Sequence, residues 1–468
     1  MLPIVLLSVF GIGLLFLGFL KSKAVLLPAT LLFLLVTLVA NFLDWNKTYL
    51  YFNDMLRTNN LSMVFTAIVL GSAFLVIALS NSLIENEEAQ PAEYYGLILF
   101  SLVGAVMMIT FENLIMLFVG VEVLSVAMYV LTGSDKRNLR SNEAALKYFL
   151  MGAFTTGIML FGMALLYGAT GSFTIAGIGA YTAHPQTGLS LLLYVGLLLL
   201  LIGLLFKVSA APFHFWTPDV YDGAPSIFTA YMSTVVKTAG FAALFRLLSV
   251  SFNGVYSFWW TILAIITAIT LVIGNITAVY QNSFKRMMAY SSISHAGYLL
   301  IGLAALGTQT KQAIVFYSLA YSVATISAFG VLLLVAQQRS TQTFSREGTV
   351  AESFDSFNGL ARQNPLLGFA MTVSMLSLAG IPLTAGFWGK FYMFSTAVER
   401  GQVWLLVIAV LMSAVGIYYY FRVIIAMYFR DGATDPIRVA PFYQYVLLAA
   451  TIITLGLGIA PGLLQGLF

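Results

Sequence analysis

The chain has 468 residues, of which 60% are hydrophobic and only 9% charged, and its mean hydropathy is +0.93. Because a soluble domain carries about 25% charged residues, this composition excludes a water-soluble protein and indicates an integral membrane protein. Cysteine is absent, which excludes disulfide scaffolds, iron–sulfur clusters and thiolate zinc sites, and three scattered histidines are too few for a haem. The net charge of +4 comes from dispersed lysine and arginine residues, so we expect no nucleic-acid partner.

Apolar runs of about 20 residues, the length that crosses a bilayer as a helix, recur along the chain. The first run precedes the first positive charge, Lys21, and is therefore predicted to be a membrane helix and not a cleavable signal. Alternating-polarity strands are missing, so we predict an all-α fold. Fourteen spans are predicted, at 3–20, 24–43, 61–82, 94–111, 113–132, 143–168, 189–220, 225–248, 258–281, 286–308, 312–337, 363–397, 403–429 and 441–462.

The distribution of positive charge predicts the orientation of these spans. With both termini outside, twelve cations lie in cytoplasmic loops and five in the opposite loops, which is a positive-inside bias. The twelve are Lys21, Lys23, Lys136, Arg137, Arg140, Lys285, Arg286, Arg339, Arg346, Arg362, Arg430 and Arg438. The five are Lys47, Arg57, Arg246, Lys311 and Arg400. We therefore predict that both termini lie on the periplasmic side.

Two predicted spans, the seventh and the twelfth, are interrupted by proline and glycine. Pro212 removes a backbone donor from the seventh, and Gly380, Pro382, Gly386 and Gly389 crowd the twelfth. Broken segments in matching positions of two halves are typical of inverted-repeat transporters and mark their ion path. The alternative is that proline and glycine are simply common in membrane helices.

This layout predicts four regions. Residues 1–93 form the N-terminal helices and a loop, and residues 94–248 form a first half-channel repeat of spans four to eight. Residues 258–429 form a second, inverted repeat of spans nine to thirteen, and residues 441–468 form the C-terminal helix.

Several titratable residues fall within the predicted spans, where each charge at the bilayer centre costs about 2.5–3.5 kcal/mol. Such residues must face the protein interior, pair with one another or meet water. A lysine held away from water releases its proton more readily than an exposed one, whereas arginine does not release its proton. A chain of lysines beginning beside a carboxylate therefore predicts a proton relay. Its members are Glu122, Lys207, Lys237, His295 and Lys390.

Each member also has a purely structural interpretation. Glu122 and Lys207 could form a static buried ion pair that only fixes helix packing, and Lys237 could serve packing alone. His295 could be an ordinary hydrogen-bonded core histidine. The residues alone leave these alternatives open.

Two further groups of residues are predicted to be structural. Lys147 is predicted to pair with Glu143, four residues earlier on one helix face. The tyrosine run Tyr418, Tyr419 and Tyr420 is predicted to serve packing and to anchor the chain at the membrane interface.

Five long motifs carry a family resemblance. They are SNEAALKYFLMGAF (141–154), FKVSAAPFHFWTPDVYDGAPS (206–226), VVKTAGFAALFRLL (235–248), KRMMAYSSISHAGY (285–298) and LAGIPLTAGFWGKFYMF (378–394). On these motifs the chain resembles the antiporter-like N subunits of respiratory complex I along nearly its whole length. The related M subunits commonly carry glutamate where this chain has Lys390, which favours the N family.

The resemblance implies fourteen helices with inverted repeats and a proton-pumping role in a bacterial inner membrane. It implies that this chain binds no cofactor, and that FMN, the iron–sulfur clusters and quinone belong to other subunits. The K and M subunits would be its neighbours, together with lipids. The family's functional positions correspond to Glu122, Lys207, Lys237 and Lys390, and a polar position of the tenth span corresponds to His295.

Two other functions remain as alternatives at this point. One is a subunit of a multi-subunit cation/proton antiporter, whose members share the same half-channels. The other is a structural spacer of the membrane arm without a proton path of its own.

Overall fold

The computed structural model describes residues 1–80, 91–184, 190–342, 352–432 and 436–463 of the chain. Residues 81–90 and 464–468 lie outside these ranges, so the predicted first and last regions are described only in part. The described residues are overwhelmingly helical, which confirms the predicted all-α membrane fold. The described residues also contain a short antiparallel hairpin that was not predicted, formed by β1 (Tyr49–Tyr51) and β2 (Leu56–Thr58).

The described residues up to residue 250 form eleven α-helices. They are α1 (Leu2–Leu17), α2 (Leu26–Asn41), α3 (Asn60–Ala78), α4 (Pro91–Thr110), α5 (Leu114–Thr132), α6 (Leu139–Thr170), α7 (Ile175–Ala183), α8 (Leu191–Lys207), α9 (Trp216–Gly223), α10 (Ser226–Tyr231) and α11 (Lys237–Val250). A π-helical turn, Met232–Val236, joins α10 to α11, so that Ser226–Val250 is one continuous span. A 3₁₀ turn, Lys23–Val25, precedes α2.

The second part begins after residue 250. It comprises α12 (Tyr256–Val279), α13 (Phe284–Ala305), α14 (Thr310–Gln342), α15 (Leu360–Gln363), α16 (Pro365–Ala379), α17 (Ala385–Glu399), α18 (Val403–Phe429) and α19 (Pro441–Ile459). Short 3₁₀ turns occur at Asn253–Val255 and Phe354–Phe357. In both parts a long helix, α6 of 32 residues or α14 of 33, precedes a pair of half-helices.

Within the described ranges, ten helices are long and apolar enough to cross a membrane. Three shorter apolar helices, α1, α8 and α16, accompany them. The count of fourteen crossings stays a prediction, because two of the predicted spans are divided in the structure and a crossing is not defined by helix length alone.

Both predicted interruptions are present. The seventh span divides into α8 and α9, and the twelfth into α16 and α17. The upstream half-helices end in the same way: the Ala210 N–H donates to Leu205 O at 2.9 Å, and the Ile381 N–H donates to Leu376 O at 3.0 Å. The residue before each donor, Ser209 or Gly380, has a left-handed backbone, which completes a Schellman-type helix end.

Among the long helices, α14 is the most deeply buried. In its most apolar segment 83% of the residues are buried inside the protein, compared with 28% in the peripheral helices α2 and α18. Glycine allows close approach at α6 and α8, where Gly162 and Gly196 face each other backbone to backbone. Without a hydrophobic driving force in lipid, such small-residue contacts are a main source of helix association. The core is therefore a tightly packed bundle in which polar side chains are held at defined positions.

Two of the cations that were expected in loops are largely buried within helices. Arg246, expected in a loop, is part of α11 and pairs with Glu112. Lys285, also expected in a loop, belongs to the first turn of α13, where it is buried and donates to Ala224 O and Glu352. The assignment of cations to loops did not predict that these two are buried. The partners that allow their burial come from distant parts of the chain, so the local sequence does not reveal them.

Candidate functional site

Three lysines predicted within the membrane are almost fully buried. Lys207 is 3% exposed, Lys237 2% and Lys390 5%. Each of them donates a hydrogen bond to a serine hydroxyl on a neighbouring helix. The acceptors are Ser125 on α5, Ser292 on α13 and Ser413 on α18. The lysine series is therefore held by neutral partners.

Lys207 is the last residue of α8, immediately before the first break. Its Nζ lies 2.7 Å from Ser125 Oγ and 3.4 Å from Tyr129 Oη, both on α5. The ammonium also lies 5.5 Å from the centre of the Tyr129 ring, within the range of a cation–π contact. Ser209, two residues on, holds a left-handed backbone that is costly for a residue other than glycine. The break thus positions Lys207 against α5.

Lys237 follows the π-helical turn Met232–Val236. Its Nζ donates to the Ser292 carbonyl at 2.6 Å and to the Ser292 hydroxyl. A π turn inserts an extra residue into a helix and is frequent at functional sites. Two tyrosine hydroxyls, of Tyr221 on α9 and Tyr321 on α14, lie near Ser292. Lys237 is therefore attached to the same helix, α13, that carries His295.

His295 is buried in the middle of α13 with both ring nitrogens engaged. Nδ1 lies 2.7 Å from the Tyr317 hydroxyl, and Nε2 lies 3.0 Å from the Tyr420 hydroxyl. The Tyr420 hydroxyl also lies 2.5 Å from Ser291 Oγ. Hydroxyl partners both donate and accept, so either ring nitrogen can carry the proton.

Lys390 lies on α17, just after the second break. Its Nζ donates to the Ala379 carbonyl at 2.7 Å and to Ser413 Oγ at 3.0 Å, and it lies 4.7 Å from the Tyr298 ring centre. Ala379 is the last residue of α16, whose C-terminal carbonyls lack partners within the helix. The negative end of the α16 dipole thus faces the ammonium.

Glu122 lies on α5, one turn before Ser125. Within the described ranges no direct ion pair joins it to Lys207, and its buried Oε1 has no hydrogen-bond partner. The side chain is half-buried, beside Val119 and Val126, which are exposed on the outer face of α5. Glu122 and Lys207 therefore do not form the predicted direct ion pair. They are close enough only for their charges to interact.

A small cavity adjoins the second break. His295, Tyr317 and Tyr321 line one side, and Ser377 and Gly386 line the other. The cavity brings the histidine of α13 next to the irregular backbone between α16 and α17. Irregular backbone at membrane depth is tolerated where protein buries it or water lines it.

The structure brings Lys237, His295 and Lys390 into one region around α13. Both lysines lie within electrostatic range of the histidine ring. Lys207 and Glu122 form a second group at α5, and these two groups are not in direct contact. Sequence reasoning missed the serine acceptors and Tyr420, which was predicted to serve packing and anchoring. Tyr420 is buried and Tyr418 is exposed, a difference that a run of identical residues cannot reveal.

The predicted Lys147–Glu143 pair is confirmed, with an Nζ to Oε1 distance of 2.7 Å. Lys147 also contacts Asp219 on α9 at 2.7 Å, and Asp219 in turn contacts Arg286 at 3.0 Å. Both ends of the first Lys147 pair are exposed, so the contribution of that pair to stability is small. The remaining contacts connect α9 to α6 and α13.

Groups of three or more histidine, cysteine or acidic side chains suited to a metal ion are absent from the part of the chain that the structure describes. The buried groups of the site are amines, an imidazole, hydroxyls and a carboxylate, all of which can take part in proton exchange.

Comparison with known proteins identifies similar chains. A family described as NADH:quinone oxidoreductase/Mrp antiporter, TM matches residues 112–416. NADH-quinone oxidoreductase subunit N of Trichlorobacter lovleyi is 44% identical over 93% of this chain and 88% of its own length. Subunit N of Cytophaga hutchinsonii is 39% identical over 97% of both chains.

A solved structure is similar as well. A chain of the respiratory complex I from Thermus thermophilus with bound aureothin is 35% identical and superposes with a TM-score of 0.83. The match covers 99% of both chains. The structural similarity therefore extends over nearly the whole length of both chains.

Proposed function

Because the chain belongs to the family of NADH-quinone oxidoreductase N subunits, we propose that it moves protons across the membrane through a relay of buried side chains. The relay comprises Glu122, Lys207, Lys237, His295 and Lys390. Quinone reduction elsewhere in the complex supplies the energy. This chain contributes no redox group of its own, and FMN, iron–sulfur clusters and quinone are bound by other subunits.

The observation that carries the proposal is the serine partner of each buried lysine. An ammonium paired with a carboxylate is stabilised in its charged form, and removing one partner's charge leaves the other buried and unpaired. A hydroxyl can donate to a neutral amine or accept from an ammonium. Lysines bonded to Ser125, Ser292 and Ser413 can therefore keep a hydrogen-bond partner in either protonation state.

Water is expected to complete the path between the two groups of residues. Buried polar groups almost always have a hydrogen-bond partner. In the described part of the chain, the buried hydroxyls of Ser209, Ser318 and Ser322 have none. Ser209 adjoins Lys207, and the other two lie on the central helix α14. Water at these hydroxyls supports proton transfer along the membrane plane.

The position of Glu122 supports a connection to a neighbouring subunit. It lies at the outer face of α5, so a proton or a charge displacement can pass between this chain and the next one. We propose the K and M subunits as neighbours, a bacterial inner membrane as the location, and the periplasm as the side of both termini. The matching helix ends of α8 and α16 support an inverted repeat of residues 94–248 and 258–429.

Two substitutions test the relay. In Lys237→Met the amine that exchanges protons is lost, and in Glu122→Gln the charge that acts on Lys207 is lost. We expect proton pumping by the assembled complex to fall to about a tenth or less in each, as expected for loss of a proton-transferring group. Pumping is measured with a pH-sensitive dye in vesicles supplied with NADH, and assembly is measured by native gel electrophoresis.

Lys21→Met is the matched control for Lys237→Met. It also removes one positive charge, but from an exposed lysine. It should pump like the unsubstituted complex. Full pumping by an assembled complex carrying both Lys237→Met and Glu122→Gln would contradict the relay and favour a structural spacer.

A further inference from the structure

A second polar cavity lies apart from the lysine series, between the ends of α4 and α11 and the starts of α3 and α7. Its empty volume is about 520 Å³. Arg57, which precedes α3, and Arg246, four residues before the end of α11, both line it. Since both lie at the ends of membrane-spanning helices, the cavity is at the depth of the membrane surface and not at its centre.

The charges that line this cavity do not balance. Glu112, 9% exposed, pairs with Arg246, 12% exposed. Arg57 has no ion-pair or hydrogen-bond partner for its side chain among the residues that the structure describes, and it lies close enough to Arg246 for the two guanidinium groups to repel. One positive charge is therefore left over in the cavity.

The buried guanidinium also has an unused donor. Nε of Arg246 is buried without a hydrogen-bond partner in the described ranges. An unsatisfied buried donor costs free energy that an acceptor at this position would recover. Guanidinium groups bind the paired oxygens of phosphate and carboxylate especially well. An oxyanion between Arg57 and Arg246 would satisfy the donor and remove the repulsion.

Most of the remaining lining residues are apolar, and the polar ones besides the charged groups are Asn59, Ser62 and Ser249. Phe65, Ile109 and Phe245 line the cavity, and Val250 at its edge is 42% exposed on the outer surface of the bundle. A free inorganic ion would gain nothing from this apolar side. A molecule with an anionic head and an apolar body matches both halves of the lining, and the cavity's depth matches the headgroup region of a bilayer.

We infer that this cavity binds the phosphate group of an anionic phospholipid, with the phosphate oxygens accepting hydrogen bonds from Arg57 and Arg246. The apolar residues at the rim, Phe245 and Val250, would contact the start of the acyl chains. Such a lipid would connect α3 to α11 next to the hairpin β1–β2 and stabilise this end of the bundle.

The test uses the purified complex, stripped of loosely bound lipid and then incubated with phosphatidylglycerol, with phosphatidylcholine or with inorganic phosphate. Phosphatidylglycerol retained after gel filtration is counted by mass spectrometry. Arg57→Gln should weaken its retention about tenfold, as expected for loss of a charged hydrogen bond. Ser249→Phe fills the cavity without changing charge and should cause a similar loss, which decides the matter if Arg57→Gln fails to assemble.

Lys47→Gln is the matched control, because Lys47 is an exposed cation of the same loop and its loss should leave retention unchanged. Retention that is equal in the unsubstituted, Arg57→Gln and Ser249→Phe complexes would overturn the inference. An equal loss in Lys47→Gln would also overturn it, since that would indicate diffuse surface attraction. Equal retention of phosphatidylcholine, or competition by inorganic phosphate alone, would overturn the assignment to an anionic lipid.

Discussion

Tyr418 and Tyr420 are the same type of residue, but they lie in different surroundings in the structure. Tyr420 is 1% exposed and its hydroxyl lies between His295 and Ser291, whereas Tyr418 is 59% exposed on the outer face of α18. Two residues along a helix point in different directions, so only one of the pair can reach the interior. The hydroxyl of Tyr420 is therefore a hydrogen-bond partner of His295 in the proposed relay, and that of Tyr418 is not.

Tyr420→Phe removes this hydroxyl and keeps the ring. A neutral hydrogen bond contributes about 1 kcal/mol, so we expect proton pumping to fall about two- to fivefold while the complex assembles normally. Vesicle pumping rates measured at equal amounts of assembled complex provide the comparison. Tyr418→Phe, the same chemical change two residues away, should pump at the unsubstituted rate.

The Tyr420 comparison also decides between the two interpretations of His295. If the histidine only fills the core, its partner hydroxyl is not needed for proton transfer. Equal pumping by the Tyr420→Phe and Tyr418→Phe complexes would then be observed, and this result would remove His295 from the proposed relay.

At the residue scale, the charged members of the proposed relay could be predicted from the sequence, but their partners could not. Lys207, Lys237 and Lys390 stand out because few charges occur in apolar spans. Serine is common in membrane helices and carries no such signal, so Ser125 and Ser292 became visible only from the packing of α5 and α13. Arg246 was misplaced for the same reason, since its partner Glu112 is 134 residues away.

At the scale of elements, the two breaks have a common construction. Each upstream half-helix ends in a left-handed residue and an N–H that reaches back five residues. A lysine ends α8 before the first break, and a lysine follows the second break on α17. A half-helix end places unsatisfied carbonyls at membrane depth, where a cation can satisfy them, as Lys390 does with Ala379.

The second break depends on a close approach that only glycine permits. A Cβ on Gly386 would lie 1.8 Å from the Ser377 carbonyl oxygen, so a methyl group there must displace the backbone between α16 and α17. We expect Gly386→Ala to lower the melting temperature of the assembled complex by several degrees and to reduce pumping, because Lys390 and the cavity beside His295 move with the backbone.

Gly71→Ala on α3 provides the control, since a Cβ there meets no atom within 4 Å. Alanine also favours helix more than glycine does, so this variant should be as stable as the unsubstituted chain or slightly more stable. A Gly386→Ala complex with unchanged melting temperature and pumping would show that the close approach is not needed.

Sequence patterns predicted these elements unevenly. Proline and glycine clusters revealed both breaks, because these residues act on the backbone directly. The π-helical turn before Lys237 was not predicted, since its residues, MSTVV, are ordinary helix residues and the extra residue is held by packing against α14. The hairpin β1–β2 was missed because two three-residue strands are too short for a periodic pattern.

At the scale of the whole molecule, the chain is a subunit of the NADH-quinone oxidoreductase family, and its few internal charges fall into two groups. Glu122 and Lys207 lie at α5 and α8, and Lys237, His295 and Lys390 lie around α13. The proposed relay would connect these two groups. In the proposed relay, a series of groups that change protonation in turn can pass an electrostatic signal as well as a proton.

The central claim is that Lys237 acts by changing its protonation state and not by its positive charge alone. Lys237→Arg separates the two, because arginine keeps the charge but does not release its proton. The most direct measurement is the number of protons pumped per NADH oxidised by the assembled Lys237→Arg complex in sealed vesicles. We predict that this ratio falls as far as in Lys237→Met, whereas a ratio equal to that of the unsubstituted complex would contradict the proton relay.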